Sequence, residues 1–197
     1  MALGTTEVES PPREPGRPVD RRWLLAAGLV VVLVVGGVLA WDWRHLDQRY
    51  ESGYGIKPRV GVGEPVWTTL VHHNRDDLEE VTVTEIEPIV RTDGAEVEVE
   101  YLICELDQGN LAREKVGGFG YGLGDRDVDR YCATTTPAKG ATFDPTGDSL
   151  QELLVGVTAT RPGRTIITGH HIEFENGWRV GDDDIAVEID LAVRRSR

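Results

Sequence analysis

The sequence predicts an all-β ectodomain, an immunoglobulin-like β-sandwich of about seven strands, behind one N-terminal transmembrane helix. Three observations lead there. An uncharged apolar run lies near the start, period-two alternation recurs after residue 60, and no comparably long helical period appears in that second part.

The apolar run WLLAAGLVVVLVVGGVLAW, from Trp23 to Trp41, holds 19 residues without a charge. As a helix it spans about 28 Å, close to the hydrocarbon thickness of a bilayer. Trp23, Trp41 and Trp43 mark its ends, where an indole can bury its ring and hydrogen-bond outward. The competing reading is a cleavable signal peptide, because Val38-Leu39-Ala40 has the small-residue spacing that a signal peptidase reads. A 22-residue leader and a full-length apolar run favour the anchor. Arg13, Arg17, Arg21 and Arg22 precede the run, against Arg44 and Arg49 just after it. This bias points to a plasma-membrane protein with its N-terminus in the cytoplasm and its C-terminal domain outside.

Residues 1–22 carry Pro11, Pro12, Pro15, Pro18 and mixed charges with little to bury, which predicts a disordered cytoplasmic tail. Residues 23–43 are the transmembrane helix. Ser52-Gly53-Tyr54-Gly55 and Pro58 interrupt any helix beyond it, so 44–60 reads as a stalk and 61–197 as the extracytoplasmic domain.

Within that domain Ile185, Val187, Ile189, Leu191 and Val193 alternate with Ala186, Glu188, Asp190 and Ala192. Val97, Val99, Tyr101 and Ile103 alternate with Glu96, Glu98 and Glu100 in the same way. Both are half-buried strands by pattern. Weaker strands are expected over 65–72, 81–91, 151–159 and 165–175, with irregularity near Pro88, which cannot donate to a ladder. Asn176-Gly177 signals a tight turn.

Cys104 and Cys132 are the two cysteines, and both fall in the part placed outside the cytoplasm, so a disulfide between them is expected over two free buried thiols. Closing that loop removes about 3.6 kcal/mol of unfolded-chain entropy. Cys104 shares its parity with Glu96, Glu98 and Glu100. It should therefore lie on a wet face and tether the 105–131 excursion, unlike the core-pinning bridge of antibody domains.

The formal charge is −13, nearly all of it after residue 43. Nucleic acid is excluded as a partner, because phosphate recognition needs concentrated basic surface. No cofactor motif is present.

Several motifs suggest chemistry and stop short of it. Gly147-Asp148-Ser149-Leu150 spells the tetrapeptide of the GDSL esterases, but the Asp-x-x-His pair of that family is missing downstream. Asp125, Asp127 and Asp129 hold positions one, three and five of a calcium loop, whereas Arg130 and Thr136 replace its glycine and its glutamate. His72-His73 and His170-His171 suggest a transition metal, yet adjacent strand residues face opposite sides, so one histidine of each pair would have to meet. His72 and His171 are the candidates, while His170 shares its face with Ile172 and Phe174 and reads as a buried histidine. No metal site is expected from these residues, and no catalytic residue is assigned. The glycine-rich run Val116–Gly124 reads as a flexible loop. Its Phe119 and Tyr121, with Trp178, form a candidate aromatic contact patch.

The 18 arginines against 3 lysines, the short charged tail before the apolar run, and the stretch TRPGRTIITGHHIEFENGWRVG resemble uncharacterised single-pass membrane proteins of high-GC Gram-positive bacteria. That resemblance brings no catalytic residues. The reading is a membrane-anchored interaction or accessory module with a protein partner at the membrane surface; a cation-binding ectodomain is the alternative and a hydrolase the third reading.

Overall fold

The computed structural model describes residues 21–50, 52–147 and 149–194. The tail expected over 1–22 lies outside them except for Arg21 and Arg22, which open helix α1 (Arg21–Arg44). Leu, Val and Ala dominate α1, and none of its apolar stretch is buried. It is long and apolar enough to cross a membrane, a property that a membrane anchor and a signal sequence share.

From Trp43 onward the chain is a second unit, mostly β, with two sheets, one of them curled into a half-barrel. Its elements are β1 (Tyr54–Ile56), β2 (Arg59–Gly61), β3 (Pro65–Val71), β4 (Val81–Asp93), β5 (Val97–Leu106), α2 (Gln108–Glu114), β6 (Tyr121–Leu123) and α3 (Asp125–Tyr131). They are followed by β7 (Cys132–Pro137), β8 (Thr142–Phe143), β9 (Gln151–Ala159), β10 (Gly163–Asn176), β11 (Arg179–Ile185) and β12 (Val187–Arg194). One sheet runs β1-β12-β10-β4-β8, with β2 also on β12 and β11 also on β10; the other runs β6-β3-β9-β5-β7.

The alternation read in the sequence decides the faces. Ile185, Val187, Ile189 and Leu191 are all within 1% of full burial, and Ile103, Leu153, Val155 and Val157 meet them from the other sheet in one core. The 185–193 pattern nevertheless belongs to two strands. β11 pairs with the distal half of β10 and β12 with its proximal half, and the register slips by one residue between them. At the far end Asn176 pairs with Arg179, so Gly177 (φ 64°) and Trp178 make a two-residue loop. Pro88 is tolerated because β8 covers only Val81 and Thr82 of β4, leaving the edge beside the proline free, and a register shift falls next to it.

Three expectations are corrected. Residues 44–60 are not a stalk: Leu46 and Tyr50 are core residues, and β1 and β2 run parallel to β12. The apolar positions there are too few to show a period, yet each finds a place in the sheet or core. Among the described residues twelve strands replace about seven, because two- and three-residue strands carry no alternation. The domain is also not purely β, since the 105–131 excursion folds into α2 and α3. Asp107 caps α2 by accepting from Asn110 N, and Lys115 closes it in the left-handed region (φ 58°).

Candidate functional site

The outer face of the second sheet carries a second core. Leu102, Cys104 and Leu106 of β5, Trp67 of β3 and Leu154 of β9 pack there against Leu111 of α2 and Val128 and Tyr131 of α3. Cys104 and Cys132 form the disulfide, which closes the excursion onto the sheet and fits an oxidising compartment. Cys104 does lie on the face opposite the main core. That face is dry, because the helices cover it, and Cys104 is wholly buried.

Directly opposite Cys104 in the β5–β9 register stands Glu152, whose side chain has no exposed surface. A buried carboxylate must be hydrogen-bonded or neutralised. Thr69 Oγ1 donates to Oε2 at 3.0 Å and the Phe119 amide at 3.1 Å, while Oε1 faces His73 Nδ1 at 2.8 Å and His72 Nδ1 at 3.3 Å. Burial alone would push this carboxyl up. The hydrogen bonds from His72 and His73, the charge of His72 and the Phe119 amide outweigh it and hold the group below the usual carboxylate range.

The strand argument that separated His72 from His73 fails for a local reason. β3 ends at Val71 and is irregular between Thr69 and Val71, so alternation no longer governs the next two residues. Both rings turn to one carboxylate. His72 Nε2 in turn meets the Tyr121 hydroxyl at 2.9 Å, and the Tyr121 ring, half exposed, packs on Tyr54 with centroids 4.3 Å apart. Beside it a cleft of about 430 Å³ is lined by His72, Val116, Phe119, Gly120, Leu123 and Tyr131, among others. Gly118 lets the loop press onto Glu152, since a Cβ there would stand 2.5 Å from Oε1.

The aromatic patch is divided. Phe119 is buried against Tyr131, because its amide is drawn inward to Glu152. Tyr121 stays at the surface beside the cleft. Trp178 sits on the β10–β11 loop of the other sheet with Trp43 as its ring partner, whereas Tyr121 packs with Tyr54 and His72.

The acidic candidates are not a calcium loop. Asp125, Asp127 and Asp129 lie within α3, where alternate residues diverge around the axis. Asp125 accepts from Trp67 Nε1 at 2.7 Å and Asp127 from the Gly124 amide at 2.9 Å, both near the helix N-terminus that favours them. His171 is paired with Asp184 at 2.7 Å on the other sheet, far in connectivity from His72 and its Glu152 and Tyr121 partners. The hydrogen bond that the imidazole donates to Asp184 pushes His171 up. No group of three or more His, Cys, Asp or Glu among the described residues is placed to hold a metal ion. Ser149, of the GDSL tetrapeptide, donates its hydroxyl to the Asp144 carbonyl in the turn before β9.

Comparison of the chain with protein-family models and with curated protein sequences finds no match.

The sequence reading missed Glu152. A signal was present: Leu153 to Val155 is apolar at both parities, which means both faces are covered. A glutamate two residues before Leu154 on the same face therefore borders the covering layer.

Proposed function

We propose that this chain is a membrane-anchored extracytoplasmic interaction module without catalytic activity of its own, with α1 as its anchor, its N-terminus in the cytoplasm and its β-domain outside. One observation carries the reading: Glu152 and its partners brace the Val116–Gly124 loop, through the Phe119 amide, the Thr69 bond to the Gly120 carbonyl and the His72 bond to the Tyr121 hydroxyl. The carboxylate oxygens are taken by Thr69, Phe119, His72 and His73. What this brace displays is an aromatic surface, Tyr54 and Tyr121 beside the cleft, of the kind that protein partners use.

An immunoglobulin-like sandwich belongs to the same proposal. The neighbours β3-β9-β5 in one sheet and β12-β10-β4 in the other support it, since they match the orders B-E-D and G-F-C of that fold. The disulfide departs from it, joining the neighbouring strands β5 and β7 of one sheet, where α3 ends, instead of sheet to sheet. The kinship with single-pass proteins of high-GC Gram-positive bacteria is likewise proposed on composition and anchor alone.

A photo-crosslinking residue at position 121 of the tagged full chain, in its native membrane, tests the reading. A near-stoichiometric adduct that a Tyr54→Ala change weakens is expected, and it is absent from a control carrying residues 1–43 alone. Adducts identical to those of a crosslinker on the opposite sheet overturn it.

A further inference from the structure

Two strands, β4 and β7, leave long open edges among the described residues, and the sequence treats them differently. Beyond Val83 the open side of β4 carries Glu85, Glu87, Pro88 and Arg91, and its register is repeatedly irregular. Charge, proline and bulges are the devices that keep a sheet edge from pairing with another chain. β7, six residues long, closes the second sheet and pairs with β5 alone. Its sequence, CATTTP, holds no charge in a chain of net charge −13, and residues 133–137 are all exposed.

The ladder shows which backbone groups face outward. Ala138 N donates to Tyr101 O at 3.0 Å, one step beyond the Leu102–Pro137 pair. Hydrogen-bonded and non-bonded pairs alternate in an antiparallel ladder, so Thr136 and Thr134 bond inward to β5 while Thr135 and Pro137 turn outward. Pro137 therefore costs the ladder nothing. Thr135 presents both an N–H and a carbonyl at the edge, and neither has a partner among the described residues.

A donor and an acceptor on one outward residue are self-complementary. About a two-fold axis at Thr135, two copies exchange both bonds, and Thr134 of each stands opposite Thr136 of the other. Cross-strand threonine pairs are favourable, and no like charges meet. On β4 the same operation at Ile86 would set Glu85 against Glu87.

We infer that β7 is a homotypic pairing edge, where two copies of this chain join antiparallel at Thr135 and the second sheet continues from one into the other. Tyr121 lies on β6, at the opposite edge of that sheet, so the pairing goes beyond the contact surface proposed above and leaves it free. Each copy carries −13 and the contact itself holds no ion pair, so salt should strengthen the association by screening repulsion.

The test uses the full chain in neutral detergent. With p-benzoylphenylalanine in place of Thr136, a mixture of unlabelled and isotope-labelled copies is expected to give crosslinks that join the two kinds within β7. Sedimentation should show a dimer whose dissociation constant falls with added salt and rises about tenfold or more in Thr135→Pro, which removes an N–H that β5 does not use. Thr134→Lys with Thr136→Lys leaves every backbone group in place and should weaken the dimer similarly, so it decides the matter if the proline variant fails to fold. A chain that stays monomeric, a dimer that both variants leave unchanged, or one that salt dissociates overturns the inference.

Discussion

The ring of Trp67 occupies the space that a side chain on Gly156 would need. The two residues are directly opposite on β3 and β9, and a Cβ on Gly156 would stand 2.6 Å from Cη2 and 2.7 Å from Cζ2 and Cζ3. The indole cannot retreat, because it is buried under α3 and its N–H is held by Asp125. Gly156→Ala is therefore expected to cost about 1–3 kcal/mol, the range for overpacking a filled site. Urea unfolding of the full chain in detergent measures it. Combining it with Trp67→Phe should cost less than the two changes summed, since both act on one space. Additive losses would mean that the ring lies elsewhere.

Glu152 holds the loop through its charge, so Glu152→Gln should weaken four contacts at once. A loss of about 2–3 kcal/mol is expected, the scale of hydrogen bonds to a charged group. Its location is the sharper readout: exchange of the Phe119 amide should accelerate while the β10 amides stay protected. The pH dependence follows from the lowered carboxyl. The contribution is present above the ordinary glutamate value of about 4.3 and is lost as pH falls through the lower folded value. Acidification below that range should thus free the Val116–Gly124 loop in the wild type and do little more to Glu152→Gln.

How far the sequence could be read depended on where periodicity reached. Ile185 to Val193 and Val97 to Ile103 alternate over nine and seven residues, and those faces follow directly. Tyr54–Ile56 and Arg59–Gly61 are three residues each and fall between Gly and Pro, so nothing local marks them as strands; they form only because β12 offers a free edge. Cys104 shows a subtler gap. Its parity was legible, but whether that face was wet depended on Leu111, Val128 and Tyr131, which belong to helices of seven residues, too short to show a period. The Glu152 node draws on Thr69, His72, His73, Phe119 and Tyr121, residues separated by up to 83 positions, and only the register of β3, β9 and β6 assembles them.

The Cys104–Cys132 bridge is the covalent floor of the same layer. Replacing both cysteines with alanine should cost up to about 3.6 kcal/mol by loop entropy. The damage should begin in α2, β6 and α3, because the bridge between β5 and the first residue of β7 closes that excursion at its two ends. Hydrogen exchange should therefore rise first over 108–131, ahead of β4, β10 and β12. Uniform loosening of both sheets would show that the outer layer and the main core unfold as one.

His170 should make the main core sensitive to mild acid. It is fully buried between the sheets, its Nδ1 meets the Tyr101 hydroxyl at 2.9 Å, and its Nε2 has no hydrogen-bond partner among the described residues. Burial pushes its imidazole down to about 4. An unfolded chain titrates this residue near 6.5. Between those values the unfolded state binds a proton that the native state refuses, so stability falls as pH drops through that window. From pH 7 to pH 5 the loss from this residue is about 2 kcal/mol. His170→Gln keeps a polar partner for Tyr101 and cannot titrate, so its unfolding free energy should change less over that interval, by about that amount. Carboxylates and the more exposed histidines are common to both proteins and cancel in the comparison. Equal slopes for the two proteins would place His170 in contact with water.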